Sequence, residues 1–267
     1  MNASLKTIDR PPDAESPQVI VLSYNNVGNF GDRLGYHQIN QILPPSCTVR
    51  HLNFTNYTQH DGKVDLLILG IGNSLMKELL TPELMKFVRG AQKSVGIFGT
   101  QYRERIDPEV FSTLISLLTH WFARHQTDLD FFGSGHQNTS WLGDWLVDSF
   151  PMAKAQEDKI LMVGNEIWQD LPLDRTIQRI QQHKKVLSTR VHPLLCALTS
   201  ADQVAYTEQK QDGLDSGKFS SMLVDIFGKS ATEKVFFDVD RRAVTEYKKR
   251  VRLNIRHLET FLTDLLN

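Results

Sequence analysis

Short apolar runs alternate with helix-spaced apolar positions along most of the chain. The runs are rich in β-branched or aromatic residues and are mostly followed by Gly or Asn, which predicts strands at 18–24, 48–53, 65–70, 94–99 and 121–124. Between them, apolar residues recur every three or four positions, which predicts helices at 32–43, 82–89 and 108–119. This alternation indicates an α/β protein with a doubly wound, mostly parallel sheet.

A second series of the same kind begins after a predicted loop at 133–138. Strands are predicted at 160–164, 185–189 and 203–206, and helices at 173–182, 193–199 and 219–227. The simplest architecture is two Rossmann-like domains that face each other across a cleft. We expect a mobile tail at 1–17, an N-terminal domain at 18–138, and a C-terminal domain at 139–267 that ends in a long amphipathic helix over 240–266.

Composition excludes several classes of protein. The 30 basic and 31 acidic residues nearly cancel, so no global field attracts nucleic acid, and any anion site must be local. Cys47 and Cys196 are the only cysteines and lie in apolar patterns, which excludes a disulfide framework and zinc spacing. We expect no bound metal. The chain shows neither a signal-like apolar region nor a membrane-length run, so a cytoplasmic location is expected.

The segment 185–198 predicts a strand that turns directly into a helix. Arg190 and His192 lie at this junction, and Pro193 suits a first helical turn. Ligands of open α/β sheets bind outside the carboxyl ends of strands, where a helix N-terminus favours anions. Arg190 and His192 are therefore expected to face a phosphate or carboxylate. The alternative is that Arg190 pairs with a surface acid and His192 caps the helix.

A second predicted strand ends in the same way, with Arg124 and His125. Two arginines at strand ends could clamp one small dianion or trianion through bidentate hydrogen bonds. Glycine corners also follow two neighbouring strands, at 70–74 and at 96–101, where Gly99 and Thr100 are found. Such corners place small residues and backbone N–H groups on a cleft wall.

The turn after the first strand contains Gly28, Gly31 and Asp32. Its spacing is not the dinucleotide fingerprint G-x-G-x-x-G, which excludes a nicotinamide or flavin site. Because its carboxylate would repel a diphosphate, Asp32 fits better as an acceptor for sugar hydroxyls or as a base. A plain helix N-cap remains an equal alternative.

Taken in order, these segments resemble the polysaccharide pyruvyl transferase family. The resemblance spans about residues 25–228 and rests on the segments 28–32, 70–74, 96–100, 123–124, 143–144 and 188–192. It implies a GT-B-like fold, no cofactor, and phosphoenolpyruvate as the co-substrate whose pyruvyl group is transferred to two sugar hydroxyls as a cyclic ketal.

The resemblance also assigns roles to residues of this chain. On the donor side, Arg124 and Arg190 would hold the phosphate and carboxylate, with Val191, Gly99 and Thr100 beside them. His192 would transfer a proton, with Asp32 as a second catalytic group. The acceptor would be bound by the N-terminal half, through the residues Asn29, Gly31, Asp32 and His37.

Several features depart from the family pattern. His125 stands where the family usually has Asp, and Val191 stands where it often has Leu. The chain is short for the family, which suggests trimmed acceptor loops. The family's acceptors are often lipid-linked, so the basic first half of the helix at 240–266 could rest on an anionic inner membrane leaflet. The alternative is that this helix packs back on the fold with its charges solvated.

Two other functions remain open. One is a nucleotide-sugar glycosyltransferase of GT-B build, which needs a carboxylate for the ribose in the C-terminal half, where Glu208 is the candidate. The other is a non-catalytic carbohydrate-binding or scaffolding protein of a polysaccharide assembly system.

Overall fold

The computed structural model describes residues 16–24, 29–164 and 171–267. Almost all of the predicted tail at 1–17 lies outside the described residues, as does Gly28.

The first half of the described chain builds a six-stranded sheet in which every pair of neighbours is parallel. Its spatial order is β2-β1-β3-β4-β5-β6. The strands are β1 (Gln18–Ser23), β2 (Thr48–Asn53), β3 (Leu66–Leu75), β4 (Lys93–Thr100), β5 (His120–Ala123) and β6 (Thr139–Trp141). The central strands β1, β3 and β4 are apolar on both faces, as is required of parallel strands with both faces covered.

Four α-helices connect these strands: α1 (Phe30–Ile42), α2 (Pro82–Gly90), α3 (Pro108–Leu117) and α4 (Gln126–Phe132). Thr81 and Asp107 cap α2 and α3 through side-chain oxygens, and each is followed by a proline, which suits the first helical position. Helix α1 begins two residues before the predicted start because Asn29, not Asp32, caps it: Asn29 Oδ1 accepts from the Gly31 amide. The N-cap alternative for Asp32 is therefore wrong.

A second sheet follows in the order β12-β9-β8-β7, with only β12 antiparallel to its neighbour. Its strands are β7 (Glu157–Val163), β8 (His183–Ser188), β9 (Gln203–Tyr206) and β12 (Phe237–Asp238). The hairpin β10 (Lys210–Gln211) and β11 (Leu214–Asp215) lies outside this sheet. The helices are α5 (Leu173–Gln181), α6 (Val191–Leu198), α7 (Lys218–Phe227) and α8 (Arg241–Leu266). The expected α/β class with mostly parallel sheets is confirmed.

Two apolar clusters cover the two faces of the first sheet. Alternate residues of β1 enter different clusters: Val19 and Val21 join one, and Ile20 and Leu22 join the other. The cluster that contains Val19 also includes residues of the second sheet and its helices, such as Val186 and Leu195. One continuous core therefore joins the two halves.

Strand β6 extends the first sheet beyond the expected domain boundary at 138/139, because 139–141 pair in parallel with β5. Helix α8 follows the second sheet in sequence but packs partly on the first. Phe261 of α8 contacts Phe122 of β5 with ring centroids 5.5 Å apart.

The apolar stripe of α8 is buried in the fold. Its buried positions include Tyr247, Val251, Leu258 and Leu262, which belong to the common core. An apolar face that already packs on the protein is unavailable for insertion into a bilayer, which leaves only the basic face of α8 for the expected membrane contact. In the part of the chain that the structure describes, no helix is both long and apolar enough to cross a membrane.

Candidate active site

A cavity of about 1130 Å³ lies where the carboxyl ends of the two sheets meet. Its wall includes Tyr24, Asn73 and Arg124, which lie at the carboxyl ends of strands of the first sheet, and Gly164, Thr189 and Thr207, which follow strands of the second. This is where α/β proteins bind ligands, and both sheets contribute to it. Arg124, Arg190 and His192, far apart in sequence, all line this one cavity.

Arg124 is held rigidly at the end of β5. It is only 3% exposed, and its guanidinium donates three hydrogen bonds: from Nε to His125 Nε2 at 2.9 Å, from Nη1 to the Gly72 carbonyl at 2.5 Å, and from Nη2 to Ser74 Oγ at 2.6 Å. An arginine has five N–H donors, so two are left for a ligand. The described residues place no carboxylate within ion-pair distance of this cation.

The Gly72 carbonyl reaches Arg124 because β3 is irregular. The register between β3 and β4 shifts between Leu69 and Asn73, and Gly70 and Gly72 have φ of 83° and 97°. These dihedrals lie in the left-handed region that glycine adopts at no steric cost. A Cβ at Gly72 would also lie 2.8 Å from Trp145 Nε1. The predicted glycine corner is thus a bulge that turns a carbonyl toward the arginine.

His125 connects Arg124 to a carboxylate in the other half of the chain. Its Nε2 accepts from Arg124, so its Nδ1 carries the proton and donates to Asp225 Oδ2 at 3.1 Å. His125 is fully buried and the Asp225 side chain is 1% exposed. Asp225 also accepts from the Gln126 amide. The Asp225 carboxylate is thus connected to Arg124 through the His125 ring.

Arg190 is the N-cap residue of α6, with extended backbone and no capping bond from its side chain. Burial lowers the pKa of its guanidinium, and the nearby carboxyl of Asp32 opposes that shift. Among the residues that the structure describes, its side chain forms no ion pair and donates no hydrogen bond. The alternative in which Arg190 pairs with a surface acid finds no partner in that part of the chain.

His192 lies in the first turn of α6 and faces a buried carboxylate. Its Nε2 is 3.4 Å from Asp144 Oδ2, an ion-pair distance that falls short of good hydrogen-bond geometry. Asp144 is completely buried. Burial alone would raise its pKa, but His192 and then Arg124 hold the pKa below the ordinary value. A negative charge on Asp144 is therefore held beside the imidazole of His192.

Gly31 makes room for the His192 ring. A Cβ at this position would lie 1.8 Å from His192 Nδ1, so any larger residue would displace the imidazole. The predicted acceptor residue Gly31 is buried and supports His192, and does not line the cavity wall.

Asp32 lines the cavity from the first turn of α1. Its Oδ1 accepts from Asn73 Nδ2 at 2.6 Å, while its Oδ2 is buried without a hydrogen-bond partner. Burial raises the pKa of Asp32 to about 7, more than the Asn73 hydrogen bond and the cations Arg190 and Lys218 lower it. A carboxyl group with such a pKa can both accept and release a proton near neutrality.

Lys218, the first residue of α7, is a third cation on this wall. Its Nζ donates to Gln209 Oε1 at 2.5 Å. Burial and then the neighbouring cations Arg124 and Arg190 lower the pKa of Lys218 to about 7, against the attraction of Glu208 and Asp32.

Of the other predicted site residues, Val191 and Asn29 line the cavity. Gly99 and Thr100 do not: Thr100 is bound to Asp128 through both its amide and its hydroxyl, and a Cβ at Gly99 would lie 3.0 Å from Arg124 Nε. They form the support behind Arg124. His37 is exposed on α1, where it contacts Gln41, and it lies away from the cavity.

Sequence reasoning missed Asp144, Asn73 and Lys218 as site residues. Asp144 carried a signal, since its Gly-Asp pair belongs to the family resemblance, although no role was attached to it. A lysine at the start of a helix carries no chemical signal, and Asn73 was visible only as part of a glycine corner.

Two further findings concern the chain as a whole. Within residues 16–24, 29–164 and 171–267, no three His, Cys, Asp or Glu side chains are grouped to hold a metal ion. The chain matches no protein-family model and none of the curated proteins.

Proposed function

We propose that this chain is a pyruvyl transferase that moves the pyruvyl group of phosphoenolpyruvate onto two hydroxyls of a sugar in a polysaccharide or its lipid-linked precursor. The observation that carries the proposal is the convergence of Arg124, Arg190 and His192 on one cavity, with buried Asp144 behind the imidazole. The proposed arrangement is GT-B-like, with the acceptor on the side of the first sheet and the donor on the side of the second.

The donor has a carboxylate and a phosphate on adjacent atoms. Arg124 retains two free N–H donors, and Arg190 offers its guanidinium at the start of α6, where backbone N–H groups add partial positive charge. Such fixed donors stabilise the anion and the charge that develops on the departing phosphate.

His192 supplies the proton for the first step. Nε2 faces Asp144 and the ring lines the cavity, so the imidazole is placed to exchange a proton with the ligand. Protonation of the methylene carbon converts it to a methyl group and leaves an oxocarbenium-like centre at the adjacent carbon. The Asp144 carboxylate stabilises the imidazolium that precedes this step.

Asp32 takes a proton from the sugar. One hydroxyl attacks the oxocarbenium-like carbon and loses its proton to the carboxylate; the carbon–oxygen bond to phosphate then breaks, and the second hydroxyl attacks to close the ketal. The two hydroxyl protons end on the methyl group and on phosphate, so the reaction balances without a metal or a redox cofactor. Asp32 lines the cavity and has a pKa of about 7, which suits this transfer.

The nucleotide-sugar alternative depends on Glu208. This residue lines the cavity, but its Oε1 already accepts from Ser216 Oγ at 2.5 Å and from the Gln209 amide at 3.1 Å. One of the two carboxylate oxygens is thus already occupied, which makes Glu208 a poorer bidentate ligand for a ribose. This observation favours phosphoenolpyruvate over a nucleotide sugar.

The test is turnover by the full chain. Purified protein, phosphoenolpyruvate and a β-galactoside or mannoside acceptor should release phosphate and give a product with a new ketal methyl signal by NMR. Phosphate release without acceptor is the control. Binding of phosphoenolpyruvate without turnover would favour a non-catalytic protein of a polysaccharide assembly system. Binding of nucleotide sugars alone would favour a glycosyltransferase.

A further inference from the structure

Three cations meet in the cavity, one more than the resemblance assigns. Lys218 lines the wall with Arg124 and Arg190. Its burial and the charges of the two arginines lower the pKa of Lys218. In the described parts of the chain, none of the three lies within 4.0 Å of a carboxylate oxygen. Lys210, which lines the same cavity, differs because Asp215 and Glu233 pair with it.

Cations that lack a carboxylate partner are costly to hold together. Burial penalises each charge, and like charges repel, so the arrangement is favourable only when an anion joins it. Lys218 is positioned for this purpose: its Nζ makes one hydrogen bond, to the neutral amide oxygen of Gln209, and an ammonium has three donors. Two donors remain for a ligand.

We propose that Lys218 is a third ligand of the anionic donor, and that binding of the donor is coupled to uptake of a proton by Lys218. The proposal rests on the proposed function for the identity of the donor, though not for its charge. Phosphoenolpyruvate carries a carboxylate and a phosphate that is close to doubly ionised near neutral pH, which matches three cations.

The charges around Lys218 determine the direction of the proton transfer. In the empty cavity, burial, Arg124 and Arg190 favour the neutral amine, while Glu208 and Asp32 favour the ammonium and hold the pKa at about 7. An added anion beside Nζ favours the ammonium further. Binding of the anion at a pH above 7 therefore draws a proton from solution to this residue.

Asp32 faces the same space and also gains affinity for a proton when an anion binds. Its pKa of about 7 means that a part of the uptake belongs to it. The Lys218 contribution must therefore be isolated by a substitution that keeps the positive charge and removes the titration.

The experiment is isothermal titration calorimetry of the full chain with phosphoenolpyruvate and, separately, inorganic phosphate, each in two buffers of different ionisation enthalpy. Lys218→Met should weaken phosphoenolpyruvate binding about 10- to 100-fold, the effect of losing a charge-assisted hydrogen bond. Lys218→Arg, which cannot release its proton, should retain much of the affinity and take up fewer protons than the unaltered chain. Lys249→Met, at an exposed lysine of α8 that pairs with Glu246 and does not line the cavity, is the matched control and should bind as the unaltered chain does.

Equal affinity of the unaltered chain and Lys218→Met for both ligands would overturn the proposal, as would unchanged proton uptake in Lys218→Arg. If the unaltered chain binds phosphate but does not bind phosphoenolpyruvate, and Lys218→Met loses the phosphate binding, the proposed function fails and the anion site stands. If Lys218→Met binds and turns over phosphoenolpyruvate normally, the function stands and the role of Lys218 fails. Absence of binding of both anions to the unaltered chain would refute both.

Discussion

Substitution of Gly31 by alanine tests the proposed proton transfer by His192, because Gly31 is the residue against which the imidazole packs. The added Cβ would lie 1.8 Å from Nδ1, 2.5 Å from Cε1 and 2.8 Å from Cγ of His192. Ordinary contact begins at 3.4 Å, so the imidazole must retreat by about 1.6 Å (3.4 minus 1.8). The Nε2 to Asp144 distance of 3.4 Å, already at the limit of an interaction, cannot survive such a movement unchanged.

The expected effects on stability and on turnover differ in size. Alanine is favoured over glycine inside a helix by about 1 kcal/mol, and the obstructing ring is on a side chain that can rotate. We therefore expect the free energy of unfolding to change by no more than about 1 kcal/mol. Loss of an aligned proton donor should lower kcat by about 10²- to 10⁴-fold.

The assay compares Gly31→Ala with Gly90→Ala. Gly90 is the last residue of α2, and a Cβ there meets no atom within 4 Å, so this control adds the same methyl group without a clash. Thermal unfolding and phosphate release from phosphoenolpyruvate are measured for both variants. Normal kcat in Gly31→Ala would refute the reasoning, because it would show that the position of the imidazole over Gly31 is not needed for the reaction.

Three further predictions follow from the same site. His192→Ala should lower kcat at least ~10²-fold with a modest change in donor affinity, whereas Arg190→Ala should weaken donor affinity by about 1.5–3 kcal/mol in calorimetry; near-normal turnover of His192→Ala would make the imidazole only a helix-start residue. The pKa of Asp32 is about 7 in the folded chain and about 4 in the unfolded chain, so between these pH values only the folded chain holds the proton. The free energy of unfolding therefore falls as the pH rises from 4 to 7, by up to about 4 kcal/mol. Asp32→Asn should therefore raise the unfolding free energy at pH 8 but hardly at pH 4, and equal effects at both values would contradict the pKa. Activity should persist in a chelator such as EDTA; loss of activity that one divalent ion restores would favour a metal-assisted glycosyltransferase.

The sequence predicts the larger elements well because their signals are local. Strands β2 and β9 have the predicted bounds, since short β-branched and apolar runs limited by turn residues identify buried strands. Strand β6 was missed: the three residues Thr139–Trp141 are too few to show a period, and the strand exists because β5 offers an open edge. Capping by Asn29 in place of Asp32 moved the start of α1, since both residue types cap helices equally well.

The positions of the site residues could be predicted from the sequence only where they follow from the direction of the strands. Arg124 follows β5 of the first sheet and Arg190 follows β8 of the second, so each could be placed at the carboxyl edge of its own sheet, and their convergence follows once the two edges face each other. His37 is five residues beyond Asp32, about 140° around the helix, which takes it away from the cavity once Asp32 faces inward. The positions of Asp144 and Lys218 depend on how the two halves pack, and no local pattern encodes that packing.

The chain of contacts from Arg124 through His125 to Asp225 has a consequence for how this sequence can vary. A substitution at 125 alone leaves the buried Asp225 carboxylate with only the Gln126 amide as donor, and a substitution at 225 alone leaves a buried imidazole N–H without its acceptor. Asp at position 125 would give the guanidinium its own anion, and a second buried acid at 225 would then repel the first. Positions 125 and 225 should therefore tolerate change only together, as His with Asp or as Asp with a neutral residue.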